Sequence, residues 1–279
     1  MAEIIQFATG ASSYDGPFGG GSPWVAAGMG YVIVTNAGLV VIDGGFAEDG
    51  ERLCELICSL GGVVDTWILT HPHRDHYRAF HTVCTDEALR ERVKIKRIVY
   101  RFPEAFKDDE GDGIEHVLAH MDEVLVHSGA ERITPVEGDE LYSGEVRITI
   151  LNTPTDEGPT HCSPNELSLV FTAEGPNGKA VFTGDAYESC LEHVYVKYGH
   201  CLRADVLQMP HHGLCDTGHR GFYEAVSADT LLIPISAAGH RCMRSDVYGD
   251  RTKLVCEMED GADRVYLAYH GTARIDKKL

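Results

Sequence analysis

The sequence predicts an α/β sandwich, with β-sheets in the middle and helices on the outside. Runs rich in Val and Ile alternate with helical patterns along the whole chain, which is typical of this class. Of the 279 residues, 43% are hydrophobic and 24% charged, as in soluble globular proteins. The composition does not change along the chain, so we expect a single domain over 1–279, with an irregular, Gly/Ser-rich lead-in over 1–23.

The first half predicts a hairpin, three helices and two further strands. Residues 30–45 give two β-rich runs around an Asn-Ala-Gly turn, and 51–62 have apolar residues at helical spacing followed by Gly. The buried strand 63–70 leads directly into His71. A helix, the strand 94–102 and a second helix from 114 to 125 follow.

The second half begins with β-like segments and then alternates. Residues 131–154, 166–174 and 179–185 are separated by turn residues. The later segments predict three helix–strand pairs: a helix at 188–198 with strand 204–210, a helix at 219–226 with strand 230–236, and a helix at 250–260 with strand 264–270.

Charge and cysteine content limit the possible partners and location. The net charge of −19 repels polyanions, so a small-molecule substrate is favoured over nucleic acid. The basic run 92–101 is better explained as a strand with a cationic face. No apolar run approaches the roughly 20 residues of a membrane span. Nine cysteines and no secretory signal at the start indicate reduced thiols, and we expect the cytoplasm.

Residues 71–76, His-Pro-His-Arg-Asp-His, are the strongest functional signal. In an extended segment His71 and His73 share a face and can bind one divalent ion. Asp75 and His76, at the turn into a helix, can bind a second ion nearby. A ligand set without thiolate favours an open catalytic site over a closed structural zinc site.

Three more hydrophobic strands end at potential ligands. Asp43 closes one strand, Asp185 follows another, and His211 and His212 follow a third. Because the set recurs with the His cluster, we expect ligands from several strands to meet at one edge of the sandwich.

The HxHxDH cluster, together with Asp43, Thr-Gly-Asp at 183–185 and the later histidines, resembles the metallo-β-lactamase superfamily of metal-dependent hydrolases. The resemblance implies a four-layer αβ/βα sandwich. The segments NELSLVF, VFTGD and ADVLQMPHHG are most similar to the hydrolase domain of DNA-internalisation competence proteins. Phosphorylcholine esterases share a similar arrangement.

The resemblance implies a role for each residue. His71 and His73 would bind the first metal, and Asp75, His76 and His212 the second. Asp185 would bridge the two ions. His211 would face the substrate or exchange with His212 as the ligand. The resemblance thus implies three catalytic residues: Asp75, Asp185 and His211. Asp43 would orient a metal-binding His.

The sequence departs from the family pattern at two places. Tyr77-Arg78-Ala79 replaces the small residues that usually follow the cluster. The separate His that many members supply to the first metal is not clearly placed. His161 and Asn165 are the nearest candidates, and His240 follows a strand end and is a further possibility.

The ligand set predicts a hydrolase with two divalent ions, zinc or alternatively manganese, that hold a hydroxide between them. Such a hydroxide can attack a phosphoryl, carbonyl or sulfonyl group, and the resemblance favours a phosphate ester or phosphodiester. The net negative charge favours a small molecule as the substrate. A metal-dependent nuclease acting on single-stranded DNA is the alternative that the competence-protein likeness suggests. A non-catalytic metal-binding module is another. A di-iron protein that reduces oxygen or nitric oxide is disfavoured, because such relatives have Glu in place of His73 and need a flavin domain.

Overall fold

The computed structural model describes residues 2–16, 28–102, 114–154, 163–214 and 217–279. The strands of the first half are β1 (Glu3–Gln6), β2 (Gly30–Thr35), β3 (Gly38–Asp43), β4 (Val63–Ile68), β5 (Lys94–Val99) and β6 (Glu131–Ile133). Those of the second half are β7 (Glu140–Ser143), β8 (Val146–Asn152), β9 (Val170–Gly175), β10 (Gly178–Phe182), β11 (Val206–Gln208), β12 (Thr230–Ile233), β13 (Arg264–Leu267) and β14 (Ala273–Lys278).

The helices divide between the two halves in the same way. The first half contains α1 (Gly50–Ser59), α2 (Arg74–Thr85), α3 (Glu87–Arg90) and α4 (Ile114–Ser128). The second half contains α5 (Glu188–Tyr198), α6 (Arg220–Val226), α7 (Ala237–Met243) and α8 (Lys253–Gly261). None of these described helices combines the length and apolarity needed to cross a bilayer.

The described strands form two seven-stranded sheets. The first has the order β14-β1-β2-β3-β4-β5-β6, and the second β13-β12-β11-β10-β9-β8-β7. Each sheet is antiparallel on one side and parallel on the other. The parallel strands are β3 to β6 in the first sheet and β10 to β13 in the second.

Three apolar cores separate four layers. One core lies between the two sheets, one between the first sheet and α1, α2 and α4, and one between the second sheet and the later helices. Strand alternation produces this division, because successive side chains point to opposite faces. In β3, for example, Val40 and Ile42 join the central core while Val41 packs toward the helices. The predicted α/β sandwich with outer helices is therefore confirmed.

One local prediction was wrong, and one helix was not predicted. The irregular lead-in over 1–23 is incorrect at its start, because residues 3–6 form β1 between β14 and β2, with Glu3 opposite Lys278. Such pairing between sequence-distant strands leaves no local pattern to recognise. Helix α7 was not predicted, although Ser236 caps it by accepting a hydrogen bond from the Gly239 N–H at 2.9 Å.

The topology places five strand ends at the edge that carries the candidate ligands. β3 and β4 run parallel, as do β10, β11 and β12. The side chains that follow these strands can therefore converge where the carboxyl ends of the two sheets meet.

The seven described cysteines are all free thiols: Cys54, Cys58, Cys84, Cys190, Cys201, Cys242 and Cys256. The single-domain interpretation stays a prediction.

Candidate metal centre

The predicted ligands meet at this edge in two overlapping groups. The first group is His71, His73 and Asp185, and the second is Asp75, His76, Asp185 and His212. Within each group the potential ligand atoms lie within 4.8 Å of one another, and all of the residues are buried. Asp185 belongs to both groups, so the arrangement is compatible with two ions that share one carboxylate.

The distances show how closely the side chains converge. Asp185 Oδ2 lies 3.3 Å from His76 Nε2, 3.4 Å from His212 Nε2 and 3.9 Å from His71 Nε2. His71 Nε2 lies 3.0 Å from His73 Nδ1. Ring nitrogens and carboxylate oxygens thus face one another without an intervening apolar group.

Two buried atoms of the cluster indicate that a cation fits here. His76 Nε2 and Asp185 Oδ1 lack a hydrogen-bond partner in the described part of the chain. Leaving such buried polar atoms unpaired is costly. Imidazole nitrogen and carboxylate oxygen are both ordinary ligands of zinc and related divalent ions, so the donor set suits the ion that the sequence predicts.

Asp43 orients His76, one of the candidate ligands, through a hydrogen bond to the ring nitrogen that does not face the cluster. Its carboxylate accepts hydrogen bonds from the Thr70 N–H and the Thr70 hydroxyl, both at 2.8 Å. Its Oδ2 also accepts from His76 Nδ1 at 2.8 Å. The His76 ring is thereby fixed with Nε2 directed at Asp185, as second-layer carboxylates do at metal sites. The Asp43 backbone has φ +51°, a strained conformation of the kind found at functional sites.

His71 and His212 are fixed in a similar way. His71 Nδ1 lies 3.1 Å from the Thr70 hydroxyl, which donates its own proton to Asp43 and therefore accepts from the ring. His212 Nδ1 donates to the Pro234 carbonyl at 2.6 Å. In both cases the remaining Nε2 faces the cluster.

The loop that carries Asp185 is held by Gln208. Its Oε1 accepts from the N–H groups of Thr183 and Gly184 at 2.8 and 2.9 Å. Its Nε2 donates to the carbonyls of Gly184 and Met209 at 3.0 and 2.6 Å. Ser168 adds a further contact, because its hydroxyl accepts from the Asp185 N–H at 3.1 Å. The N–H groups of Thr183, Gly184 and Asp185 are therefore all hydrogen-bonded to neighbouring side chains.

The buried histidines of the cluster differ in the direction of their pKa shifts. Burial, together with the neighbouring imidazoles, lowers the pKa of His71 well below its ordinary value. Burial also opposes charge on His212, but the carboxylates of Asp185 and Asp75 outweigh it and raise its pKa to about 10. Carboxylates raise the pKa of His76 in the same way. Conversely, imidazoles outweigh the burial of Asp185 and hold its pKa well below the usual range.

The other predicted site residues have different positions. His211 follows β11 with φ +47°, and its ring makes an edge contact with Tyr187 at 5.2 Å between centroids. Asn165 is buried and donates from Nδ2 to the Tyr187 hydroxyl at 2.9 Å. His161 lies outside the described residues.

His240 does not join the cluster, contrary to that possibility. It lies on α7, where Nε2 is 2.8 Å from Glu259 and Nδ1 is 3.2 Å from the Tyr269 hydroxyl. Both ring nitrogens therefore have protein partners. The prediction failed because the chain turns into α7 directly after β12 and carries His240 toward α8 instead.

Sequence reasoning missed four residues that support the site: Thr70, Ser168, Tyr187 and Gln208. Thr70 and Gln208 were detectable as polar residues at the ends of buried strands. Tyr187 and Ser168 carry no local signal, because their roles depend on partners in other segments.

Comparison with known proteins agrees with this geometry. Residues 25–217 match the family described as the Metallo-beta-lactamase superfamily. Because the match spans more than half of the chain, the protein belongs to this superfamily. No curated protein matches the sequence.

Solved structures share the fold at low sequence identity. Zn(2+)-bound PqqB from Methylobacterium extorquens has a TM-score of 0.56 and 12% identity, with 99% of this chain and 100% of that chain covered. A diphosphatase of the PhnP family has a TM-score of 0.54 and 13% identity, covering 100% and 99%. CmlA, a diiron β-hydroxylase from Streptomyces venezuelae, has a TM-score of 0.54 and 12% identity, covering 99% of this chain and 54% of that chain. The fold therefore accommodates different reactions.

Proposed function

We propose that the protein is a binuclear metal-dependent hydrolase that cleaves a phosphate ester or phosphodiester of a small molecule. The observation that carries this proposal is the position of Asp185 in both ligand groups, with its Oδ1 and His76 Nε2 buried and without a hydrogen-bond partner among the described residues. His71, His73 and Asp185 would hold one ion, and Asp75, His76, His212 and Asp185 the other. When bound, two such ions activate water and polarise the bond under attack.

The chain's own residues would prepare the site and handle a proton. The contacts of Asp43 and Thr70 keep His71 and His76 directed inward, so little reorganisation is needed on binding. His211 lies beside the cluster, with its ring centroid 6.2 Å from that of His212. We assign it to donate a proton to the oxygen of the leaving group.

Several observations support the substrate class and the ion. The net charge of −19 disfavours long polyanions, and the PhnP-family diphosphatase shares the fold. Zinc is supported by the donor set and by the zinc-bound neighbour PqqB. The free thiols of the described cysteines support a reducing compartment, and we propose the cytoplasm.

Elemental analysis combined with a hydrolysis screen tests this function. The purified protein should contain two zinc ions per chain and hydrolyse p-nitrophenyl phosphodiesters faster than lactones, β-lactams or single-stranded DNA. Asp185→Ala should reduce the metal content and lower kcat by at least about 10³-fold, because it removes the shared ligand. Asp139→Ala is the matched control, since this carboxylate accepts from Val136 N–H in a turn between β6 and β7 and should leave both readouts unchanged.

Four results would contradict the proposal. Wild-type turnover by Asp185→Ala would exclude the shared carboxylate. Preferential cleavage of single-stranded DNA would favour the nuclease. Two bound ions without any hydrolysis would favour a binding module, and bound iron with consumption of oxygen would indicate chemistry closer to that of the diiron neighbour.

A further inference from the structure

One buried amide beside the metal cluster lacks a partner for its oxygen. Asn165 is only 4% exposed, and its Oδ1 has no hydrogen-bond partner in the described part of the chain. Its Nδ2 is occupied, because it donates to the Tyr187 hydroxyl at 2.9 Å. A buried carbonyl oxygen of this kind is costly unless a ligand supplies a donor.

The turn that carries Asn165 is joined by hydrogen bonds to both ligand loops. It lies in the short 3₁₀ turn 164–167, where the Ser163 hydroxyl accepts from the Asn165 N–H and Glu166 caps Ser163 in return. Directly after this turn, the Ser168 hydroxyl binds the Asp185 N–H, and the Leu169 N–H donates to the Thr70 carbonyl at 2.9 Å. The turn is therefore attached to the loops of both sheets.

Tyr187 connects the amide to the predicted proton donor. It lies two residues after Asp185, and its ring makes an edge contact with His211. Successive contacts thus join Asn165 to Tyr187, Tyr187 to His211 and His211 to His212, a member of the second ligand group. A substrate bound at the ions would meet these side chains next to His211.

We propose that Asn165 is a specificity-determining residue whose Oδ1 accepts a hydrogen bond from a hydroxyl or N–H group near the scissile ester. This inference rests on the proposed phosphoesterase function and narrows the substrate class to esters that carry a donor group near phosphorus. Tyr187 is a positioning residue, because its hydroxyl fixes the orientation of the amide.

Three synthetic diesters with one common leaving group test this subsite. The p-nitrophenyl esters of 3-hydroxypropyl, 2-aminoethyl and propyl phosphate differ in the donor that they place near phosphorus, and none has a vicinal hydroxyl that would itself displace p-nitrophenolate. The wild type should show kcat/KM about tenfold higher for the hydroxypropyl or the aminoethyl ester than for the propyl ester, as one hydrogen bond provides. Whichever of the first two is preferred distinguishes a hydroxyl from an ammonium donor.

Variants separate recognition from structure. Asn165→Ala should bring the preference close to one while the metal content stays at the wild-type value. Tyr187→Phe keeps the ring against His211 but removes the anchor, so the preference should fall by a smaller factor. Asn177→Ala is the control, because this amide donates to the Leu279 carbonyl in a distant turn and should keep the wild-type preference.

Binding measurements distinguish failure of the subsite from failure of the proposed function. Metal-loaded protein should bind 3-hydroxypropyl phosphate or aminoethyl phosphate more tightly than propyl phosphate, and Asn165→Ala should remove the difference. If the wild type hydrolyses the diesters but shows no preference in rate or affinity, the subsite is wrong and the function stands. If it hydrolyses none of them yet binds with the expected preference, the function is wrong and the subsite stands. Loss of one metal equivalent in Asn165→Ala would make Asn165 a metal ligand and overturn the assignment.

Discussion

In the first sheet the ligand loop is held by a carboxylate, Asp43, whereas in the second sheet it is held by an amide, Gln208. Both residues end a buried strand at the site edge. Asp43 receives only donors, from Thr70 and His76. Gln208 receives two N–H groups and also donates to two carbonyls.

The difference follows from what each loop exposes. A carboxylate accepts hydrogen bonds but cannot donate, whereas an amide does both. The first loop presents a hydroxyl, an amide N–H and an imidazole, so a carboxylate satisfies it and adds negative charge beside a cation site. The second loop presents backbone groups of both kinds, which only an amide satisfies. In the first sheet a charged group thus orients ligand side chains, whereas in the second sheet a neutral group orients the backbone of the ligand loop.

The largest expected effect comes from removing the hydrogen bonds of Gln208 in the second sheet. Gln208→Ala leaves several buried backbone groups unpaired and should lower the free energy of unfolding by about 3 kcal/mol. Denaturant unfolding of the metal-free protein measures it. Gln6→Ala is the matched control, since Gln6 is equally buried but makes one 3.3 Å hydrogen bond to the Tyr266 carbonyl. Equal losses of unfolding free energy in both variants would show that the hydrogen bonds of Gln208 add no stability to the loop.

The next largest effect comes from removing the charge of Asp43 in the first sheet. Asp43→Asn keeps the shape but removes the charge that holds His76, and it should weaken metal binding by about 10–100-fold. Competition with a chelator of known affinity measures this change. Asp49→Asn is the control, because that buried carboxylate accepts from the Gly10 and Phe46 N–H groups away from the cluster. It should change stability but leave metal affinity as it is, and a comparable loss of affinity there would contradict the role of Asp43.

A third effect sharpens the comparison through pH. The lowered pKa of His71 leaves it uncharged at neutral pH, whereas His212, with a pKa of about 10, must lose a proton to bind an ion. Affinity at the second group should rise about tenfold per pH unit for each displaced proton between pH 7 and 9. Affinity at the first group should change less. Calorimetry in buffers of different ionisation enthalpy counts the released protons.

The same shift has the opposite sign for stability of the metal-free protein. A raised histidine pKa stabilises the folded state fully below the unfolded value near 6.5, and this contribution is lost as the pH rises toward 10. His212→Gln should flatten both dependences. Equal proton release at the two groups would contradict the division of the histidines.

Much of the fold was predictable because its signals are local. The hairpin 30–45 and the strand that leads into His71 follow from residue type and period, and β2, β3 and β4 lie where these patterns predict. The pairing of β1 with β14 was not predictable, since it joins opposite ends of the chain. Helix α7 was missed although a Ser cap marks its start.

For the site, the sequence by itself determined the chemical types of the donors and their order at strand ends. It identified Asp43, the 71–76 cluster, Asp185 and His212 because ligands at strand ends stand out against apolar runs. Tertiary structure alone decided that His240 binds Glu259, that Gln208 clasps the Asp185 loop and that Asn165 meets Tyr187. The physical reason is that a hydrogen bond needs two atoms within about 3 Å, and only folding brings side chains that are distant in the chain to that separation.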